Sequence, residues 1–565
     1  MGSSSDINIP VLVVGGGPVG LTLAAELGWR GTGAILVETR EGPTEHPKAT
    51  LLGARSMEYF RRWGIIDQIY DNALPPDINY FITFSTRLTG HEMHRVTAPS
   101  IRDTIERPSE IMERYRELSW SPYYKTQIGQ QALEPVLIDF ARDIDGIELL
   151  HGHRFVDFAE DADGVTSAIE NLATGATFTV RSRYIVACDG GASGIRKSLG
   201  IGMNGRGRIR PNVSFFFESD AFLEVHGRGV GNLYFIFAPG SFGVVTAIDG
   251  LRRWNYQLYF LDPERRTEDV SPDDALFGMM GRPFEYELKG VQHWYHHQSV
   301  ARAFRSRPDG DIAGETGRVF LAGDAAHLFP PTGGVGMNTG IGDAVDLGWK
   351  LDAVLKGWGG GDLLRSYEHE RKPIAVRNSV ISANNSDKID MVMDETPPEV
   401  QDDGPTGDAI RAEVARKIRW MARQFNSAGT HLGYRYVASP VIAADRTPEP
   451  PDDPTQVVPS TWPGSRAPHM WLSDDTSVRG PSTLDWFGRD FVLVRASGAD
   501  GGAIEAACAR AGVPLRTERI PDDNVARLFE EPLVLVRPDG HVAWRGQAAT
   551  AEEAETLVAK VTGHG

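Results

Sequence analysis

An α/β fold with more than one domain is what the sequence predicts, and three observations predict it. A short apolar run at residues 10–14 (PVLVV) passes through a glycine turn into helical apolar spacing over 21–30. A block of short β-branched and aromatic runs, separated by Gly, Pro and Asp, fills residues 205–305. A stretch at 446–468 with seven Pro sets off a last segment of alternating strand and helix signals. At roughly 150 residues per domain, the 565-residue chain has room for three to four domains.

Composition narrows the function classes. Lys+Arg number 58 and Asp+Glu 76, a net charge of −18, with 41% hydrophobic and 24% charged residues. That is ordinary for a globular protein and too apolar for a disordered one. Nucleic-acid binding needs a basic face, so an acidic chain argues against it. Cys188 and Cys508 share no CxxC and cannot form a disulfide framework or a four-Cys zinc site. A reducing, cytoplasmic setting is expected. The stretch 9–29 has the length of a membrane span, but its glycines, prolines and Glu26 argue against one. Met1–Ser5 reads as a flexible start.

The first motif is a nucleotide cradle. Gly15-Gly16-Gly17-Pro18-Val19-Gly20 joins a strand to a helix. Gly15 permits the tight turn, Gly17 lets backbone approach a pyrophosphate, and Gly20 lets helix and strand pack closely. The phosphates then meet the helix N-terminus. A second strand at 34–37 ends in Glu38, 18 residues after Gly20, where an acid can accept the ribose hydroxyls. Glu38 disfavours a 2′-phosphate, leaving FAD or NAD. The unit is Rossmann-like. A further strand at 183–188 runs into Asp189-Gly190-Gly191-Ala192-Ser193-Gly194-Ile195-Arg196, and another at 318–322 into Gly323-Asp324-Ala325-Ala326-His327. Pro330 to Asn338 then form a second glycine-rich turn before a long helix at 339–355. Its amides suit an electron-rich ring, and Asp324 suits a chain of hydroxyls.

These three motifs, in this order, resemble the FAD-dependent aromatic hydroxylases of the para-hydroxybenzoate hydroxylase and phenol hydroxylase type, and among them the chlorophenol and polyketide hydroxylases. The resemblance implies that Gly15, Gly17, Pro18 and Gly20 hold the FAD pyrophosphate and Glu38 its adenosine ribose. Gln130 matches the family glutamine that contacts the cofactor. Asp189 is implicated with FAD and with the reduced pyridine nucleotide. Asp324 would bond the ribityl chain, with Gly323 near the pyrophosphate. The turn with Pro331, Gly334 and Gly336 would lie on the isoalloxazine. Met337 and Asn338 would meet its pyrimidine edge. Lys48 stands where many members carry Arg, and Arg55 lies in the family's Arg-Ser/Thr-x-Glu helix; both are candidate cofactor contacts. Asp346 replaces the Asn usual in the helix that follows, which puts one helix contact in doubt.

The implied activity is that of an NAD(P)H- and FAD-dependent monooxygenase. NADPH or NADH reduces FAD, O2 adds at flavin C4a, and the hydroperoxide transfers OH to a phenolic or polyketide-type ring. No second GxGxxG unit is present, so the reduced nucleotide would bind transiently. A flavin halogenase is disfavoured because its Trp-x-Trp-x-Ile-Pro signature is absent. Baeyer–Villiger oxidation, epoxidation on the same scaffold, and a non-catalytic flavin binder stay open.

The block at 205–305 is expected to form an antiparallel sheet that walls the substrate pocket. Strands are expected at 213–217, 232–237, 243–248, 255–260 and 291–297. Tyr234, Phe235, Phe237, Tyr256 and Tyr259 are candidate lining, with ordinary sheet core the alternative for each. Substrate activation needs a base, for which the Pro331 carbonyl, Tyr234 and Tyr256 are the candidate catalytic groups, with a histidine of this sheet as another source. His293, His296 and His297 read as an exposed strand end and not as metal ligands; no metal is expected. The last unit has strands at 491–495, 533–537 and 541–545 and helices at 503–511 and 551–562, a thioredoxin-like order without the redox CxxC. The expected domains are an FAD unit at 6–85, 125–204 and 306–400, a substrate unit at 86–124 and 205–305, a helical connection at 401–450, and a tail at 451–565. A small aromatic substrate is the expected partner, with no nucleic acid and no membrane, and a homodimer left open.

Overall fold

The computed structural model describes residues 7–78, 81–307 and 317–565. Met1–Ser5 lie outside them.

The first sheet has seven strands. Ile147–His151, Ala34–Glu38, Ile7–Val14 and Thr177–Ala187 lie side by side in parallel, and Val319–Leu321 adds to Thr177–Ala187. Val165–Asn171 and His153–Glu160 complete it as antiparallel strands. Ala34–Glu38 is buried along its whole length, as a strand covered on both faces requires. The helix Pro18–Arg30 crosses over the sheet. Pro18 starts it without losing a needed N–H, and Gly31 ends it at φ 88°. The helix Val335–Leu355 packs beside it, followed by the 34-residue helix Gly361–Asp394.

The second sheet has eight strands in the order His327–Leu328, Glu287–Ala301, Met203–Glu218, Arg253–Tyr259, Gly243–Ala247, Leu233–Ile236, Phe81–Ser85 and Glu92–Thr97. All five expected strands of the 205–305 block are there, and two, Met203–Glu218 and Glu287–Ala301, run at least eight residues longer than the sequence suggests. Phe81–Ser85 also belongs here, so the expected boundary after residue 85 falls too late.

Pleating sorts the side chains of this sheet into two sets. Val213, Phe215, Phe217, Tyr234, Trp254, Tyr256 and Leu258 join the main apolar core with Leu276 and Met279 of the helix Pro272–Met280. On the other face, Phe84, Phe235, Val244 and Tyr259 pack with Ile389, Val392, Val414 and Ile418 from Gly361–Asp394 and the helix Pro405–Met421.

The tail's four strands run in the order Leu515–Arg519, Phe491–Arg495, Leu533–Val536 and Val542–Gly546, the first pair parallel and the others antiparallel. Helices Gly502–Ala511, Asp523–Phe529 and Ala551–Val561 connect and cover them. Thr550 and Glu553 form the expected capping box. The tail's sheet has two cores: Val492, Val494, Phe529 and Val534 cluster with other tail residues on one face, while on the other Trp349, Ala353, Trp358 and Leu363 of the first unit lie in one apolar cluster with Phe491, Leu493, Cys508 and Leu535. Among the described residues no helix is long and apolar enough to cross a membrane.

Candidate active site

Three turns converge at the C-terminal ends of the parallel strands, where ligands of open α/β sheets bind. In the first, Gly15 has φ +109°, and its N–H donates to Val37 O at 2.8 Å. A Cβ on Gly15 would lie 2.3 Å from Cys188 O, and one on Gly20 would lie 1.9 Å from Gly15 O. A Cβ on Gly17 would meet nothing within 4 Å, so this residue faces open space at the mouth of the helix Pro18–Arg30. These are the separate reasons for glycine that the motif predicts.

Glu38 lies buried beside this turn. Its Oε2 accepts the Gly16 N–H at 2.6 Å, and its Oε1 accepts the Arg40 N–H at 2.9 Å. Burial pushes its carboxyl up, but the Arg40 guanidinium and these N–H groups outweigh that and hold it below the usual range. Glu38 is therefore an ionised acceptor at the strand end. Arg40 also reaches Glu134 at 3.0 Å, and Glu134 takes the Gln130 amide at 2.8 Å. Gln130 is thus tied to the protein and lies beside the segment that carries exposed Lys48.

In the second turn, Asp189 Oδ2 accepts the Gly194 N–H at 2.9 Å, while its buried Oδ1 has no partner. In the third, Gly323 has φ +59°, and a Cβ there would press on Val19. Its N–H donates to Asp343 Oδ2 at 3.1 Å. Asp324 is exposed toward the cleft yet walled by protein on its other sides. That burial raises its carboxyl, with His327 and Lys48 opposing. The open Gly17, the unpartnered Asp189 Oδ1, the ionised Glu38 and the cleft-facing Asp324 fit a dinucleotide with a polyol chain.

The turn from Pro330 to Gly334 feeds the helix Val335–Leu355, whose first-turn amides have no intrahelical acceptor. A Cβ on Gly336 would come no nearer than 4.0 Å to a neighbour, the Phe329 ring, and Met337 is half-buried. Gly334 has φ +63° and abuts Leu51. The Asn338 side chain is fully engaged within the protein. Its Oδ1 accepts from Gly53 N–H and Ser56 Oγ, each at 2.7 Å, and its Nδ2 donates to Leu51 O and Gly334 O. It therefore fixes the loop, and the free backbone amides, not its side chain, are left for a ligand.

The chain matches the FAD binding domain family over residues 8–380 and the aromatic-ring hydroxylase C-terminal family over residues 460–564. This chain belongs to the FAD-dependent aromatic-ring hydroxylases. The hydroxylase is 32% identical to aklavinone 12-hydroxylase RdmE of Streptomyces purpurascens, over 98% of each chain. It is similar to the structure of RebC with bound 7-carboxy-K252c, with 36% identity, TM-score 0.88, and 99% of this chain and 100% of that chain covered. It is also similar to the flavin-dependent monooxygenase PieE in complex with FAD and substrate, with 31% identity, TM-score 0.86 and the same coverage. The expectation of an FAD-dependent aromatic monooxygenase therefore holds.

Several residue assignments need correction. Arg55 does not face the cofactor cleft. It is buried and turned to the tail, with Nη1 2.9 Å from Glu58 and Nη2 donating to Asp539 O at 2.6 Å. Tyr234 and Tyr256 are placed by the strand pleat on the sheet face that packs on Pro272–Met280. Tyr234 OH donates to Gly229 O and accepts from Gly231 N–H, each at 2.6 Å. Tyr256 OH donates to Ser241 O at 2.9 Å. Neither hydroxyl is left for a substrate. The Pro331 carbonyl accepts the Gly334 N–H at 3.0 Å, which closes the turn and engages one of its lone pairs. Of the three histidines, only His293 is exposed; His296 is 1% exposed.

Sequence reasoning missed the polar members of the other sheet face. Arg210, Asn212, Asn255, His296 and Gln298 each have a buried side-chain atom without a hydrogen-bond partner among the described residues. His296 Nδ1 accepts from Arg210 Nε at 3.3 Å, which leaves the proton of a neutral ring on the unpartnered Nε2. Burial first, then the nearby Arg210 and His297, keep this imidazole neutral by holding it well below its ordinary value. Arg210 lies 2.9 Å from Asp390 as an ion pair and over the Tyr259 ring. Gly361–Asp394 faces this set with a buried stripe of Asn378, Ser379, Ser382, Asn385 and Ser386. Ser382 Oγ is 2.6 Å from Pro330 O, and Ser386 Oγ is 3.4 Å from His296 Nδ1. One helical turn thus separates the Pro330–Gly334 turn from His296. The stripe's spacing of three and four residues was the signal that could have revealed it.

Proposed function

We propose that this hydroxylase takes reducing equivalents from NADPH or NADH and uses O2 to place a hydroxyl group on a phenolic or polyketide-type ring. The ring would lie between the Pro330–Gly334 turn and the polar face of the eight-stranded sheet. Bound FAD supplies the hydride acceptance and oxygen activation, as the resemblance implies. The chain's own groups hold and orient. Gly15, Gly17 and Gly20 admit the pyrophosphate, Glu38 accepts from the ribose, and Asp324 accepts from the polyol chain. His296 presents a fixed Nε2–H to a substrate oxygen, and Arg210 behind it favours negative charge there, which makes a phenolic ring more electron-rich.

The observation that carries this reading is the set of buried, unpartnered polar atoms of Arg210, Asn212, Asn255, His296 and Gln298 opposite the flavin loop. Buried polar groups without partners mark a place where a ligand completes the hydrogen bonding. The relatives' substrates named above, aklavinone among them, support a polycyclic aromatic class.

Two architectural readings accompany it. The tail's strand order and helix placement support a thioredoxin-like unit that has no redox pair. The FAD, substrate, connecting and tail units are read with the expected boundaries, except that the substrate unit takes in the strand Phe81–Ser85.

The test is NADPH and NADH oxidation by the purified holoenzyme with a panel of hydroxylated anthraquinones and tetracyclic ketones. Substrate-stimulated oxidation and a product heavier by one oxygen on a ring carbon are expected. A ring-expanded ester or an epoxide overturns hydroxylation, and no stimulation by any aromatic overturns the substrate class.

A further inference from the structure

Five charged side chains are sealed between the helices Val335–Leu355 and Gly361–Asp394 and the tail turn at 536–542. Asp346, Lys350, Glu370, Arg537 and Asp539 are each no more than 2% exposed. Lys350 Nζ donates to Asp346 Oδ2 at 2.8 Å and to Glu370 Oε2 at 2.6 Å. Arg537 answers from the tail. Its Nη1 donates to Glu370 Oε1 at 2.6 Å, and its Nη2 reaches Asp346 Oδ1 at 3.1 Å and Asp539 Oδ2 at 2.7 Å. Without Arg537, three buried carboxylates would face one ammonium, an arrangement that the interior does not tolerate.

This cluster adjoins the flavin loop on both sides. Asp343, one turn before Asp346, accepts from Gly323 N–H, from Arg371 Nε at 2.8 Å, and contacts His327 Nε2 at 2.7 Å. Arg371 follows Glu370 directly and donates to Thr339 O at 2.9 Å. On the far side, the Asp539 carbonyl takes Arg55, whose helix Ala54–Trp63 begins after Gly53, the residue bound to Asn338. One tail turn thus grips both segments that bracket the loop.

We infer that Arg537 is a positioning residue for FAD: its guanidinium balances the acidic pair Asp346 and Glu370 and so fixes the two helices, of which Val335–Leu355 follows the flavin loop and holds Gly323 through Asp343. Asp346 is the adjustable member. Around it stand Lys350 on its own helix, Tyr367, Glu370 and Arg371 on the next, Tyr436, and Arg537, Asp539 and His541 of the tail. Burial pushes the Asp346 carboxyl up to about 7, Glu370 and Asp539 adding to this and Lys350 and Arg537 opposing it. With Asp346 protonated, two cations meet two anions. As pH rises through neutrality, a third carboxylate ionises, and the grip on the loop loosens.

The experiment dilutes the holoenzyme and reads released flavin by its fluorescence. Arg537→Gln is expected to weaken FAD binding about tenfold or more. Arg537→Gln with Asp346→Asn should recover most of that loss, because one carboxylate leaves with the guanidinium. Arg510→Gln, on the exposed tail surface, should behave as the unchanged protein. Unaltered FAD release by Arg537→Gln, or no recovery in the double variant, overturns the inference. If Arg537→Gln does not fold, Asp346→Asn alone decides. Its FAD affinity should stay flat from about pH 6 to about pH 8.5, where that of the unchanged protein falls. Parallel profiles overturn the inference.

Discussion

The two faces of the eight-stranded sheet read alike in the sequence and differ in chemistry. Strands Met203–Glu218 and Arg253–Tyr259 supply residues to both faces by simple alternation. One face collects Phe215, Phe217, Tyr234, Trp254 and Tyr256 against the helix Pro272–Met280. Its aromatic rings meet at edges, tilts and, for Phe215 and Tyr256, in a stack, with the ring centroids of Phe222 and Trp254 only 4.4 Å apart. The other face collects Arg210, Asn212, Asn255 and His296 and looks toward the Pro330–Gly334 turn. Aromatic rings and buried polar atoms without partners among the described residues occur on both faces, with Trp254 Nε1 and His226 Nε2 on the first; the second differs by the cluster of Arg210, Asn212, Asn255 and His296 that Ser386 and Ser382 link to the Pro330–Gly334 turn.

Substitutions on the two faces should separate stability from binding. The largest effect is expected for Phe215→Ala, which empties a fully buried site and should cost about 3–5 kcal/mol of stability with substrate affinity in the folded holoenzyme unchanged. Thermal unfolding and a binding titration check it together. A loss of affinity as large as the loss of stability would erase the contrast between the faces. Next comes His296→Leu, which should leave stability close to that of the unchanged protein and weaken substrate binding by ~1–3 kcal/mol, read from the flavin absorbance change on titration.

A pair of histidines sharpens the comparison with pH. His226 packs against Phe222 and Tyr234 on the aromatic face, and burial first, then Arg228, hold it down to about 4. A lowered histidine is neutral in the fold and protonated in the unfolded chain below its ordinary value. Its contribution is thus full above pH 6.5 and is lost as pH falls toward about 4. His226→Phe should flatten the acid slope of stability by about 1.4 kcal/mol per pH unit in that window and leave substrate binding alone. His296→Leu should flatten the slope too, but weaken binding. Equal effects of both on binding would mean that the two faces are not distinct. The smallest effect is expected for Tyr256→Phe. It removes one buried hydrogen bond to Ser241 O, about 1 kcal/mol, with turnover retained in the oxidation assay.

What could be read from the sequence follows from how locally each feature is encoded. Gly15, Gly17 and Gly20 act within one turn, and Glu38 ends the very next strand, so a few dozen residues determine the cradle. The strands of the second sheet were legible for the same reason, since alternation and turn residues are local. The faces of those strands were not. Whether Tyr256 or Asn255 lies on the face away from the apolar core depends on which side Pro272–Met280 covers. Arg55 is the sharpest miss. Its family helix was recognised, but its partner carbonyl lies 484 residues away in the tail, beyond the reach of any motif. Asp346 was noticed as a departure from the usual Asn; the reason, a guanidinium from position 537, became visible only with the tail in place.

The shared apolar cluster of Trp349, Trp358, Phe491 and Leu493 bears on how this protein can be rebuilt. The last hundred residues are not a cassette. A tail grafted from a relative would arrive with its own complement to that relative's helix, and Trp349 would meet a surface shaped for a different side chain. Swaps intended to change substrate scope have a cleaner seam elsewhere, along the polar sheet face, where Asn212 and Asn255 can change without disturbing how the two ends of the chain recognise each other.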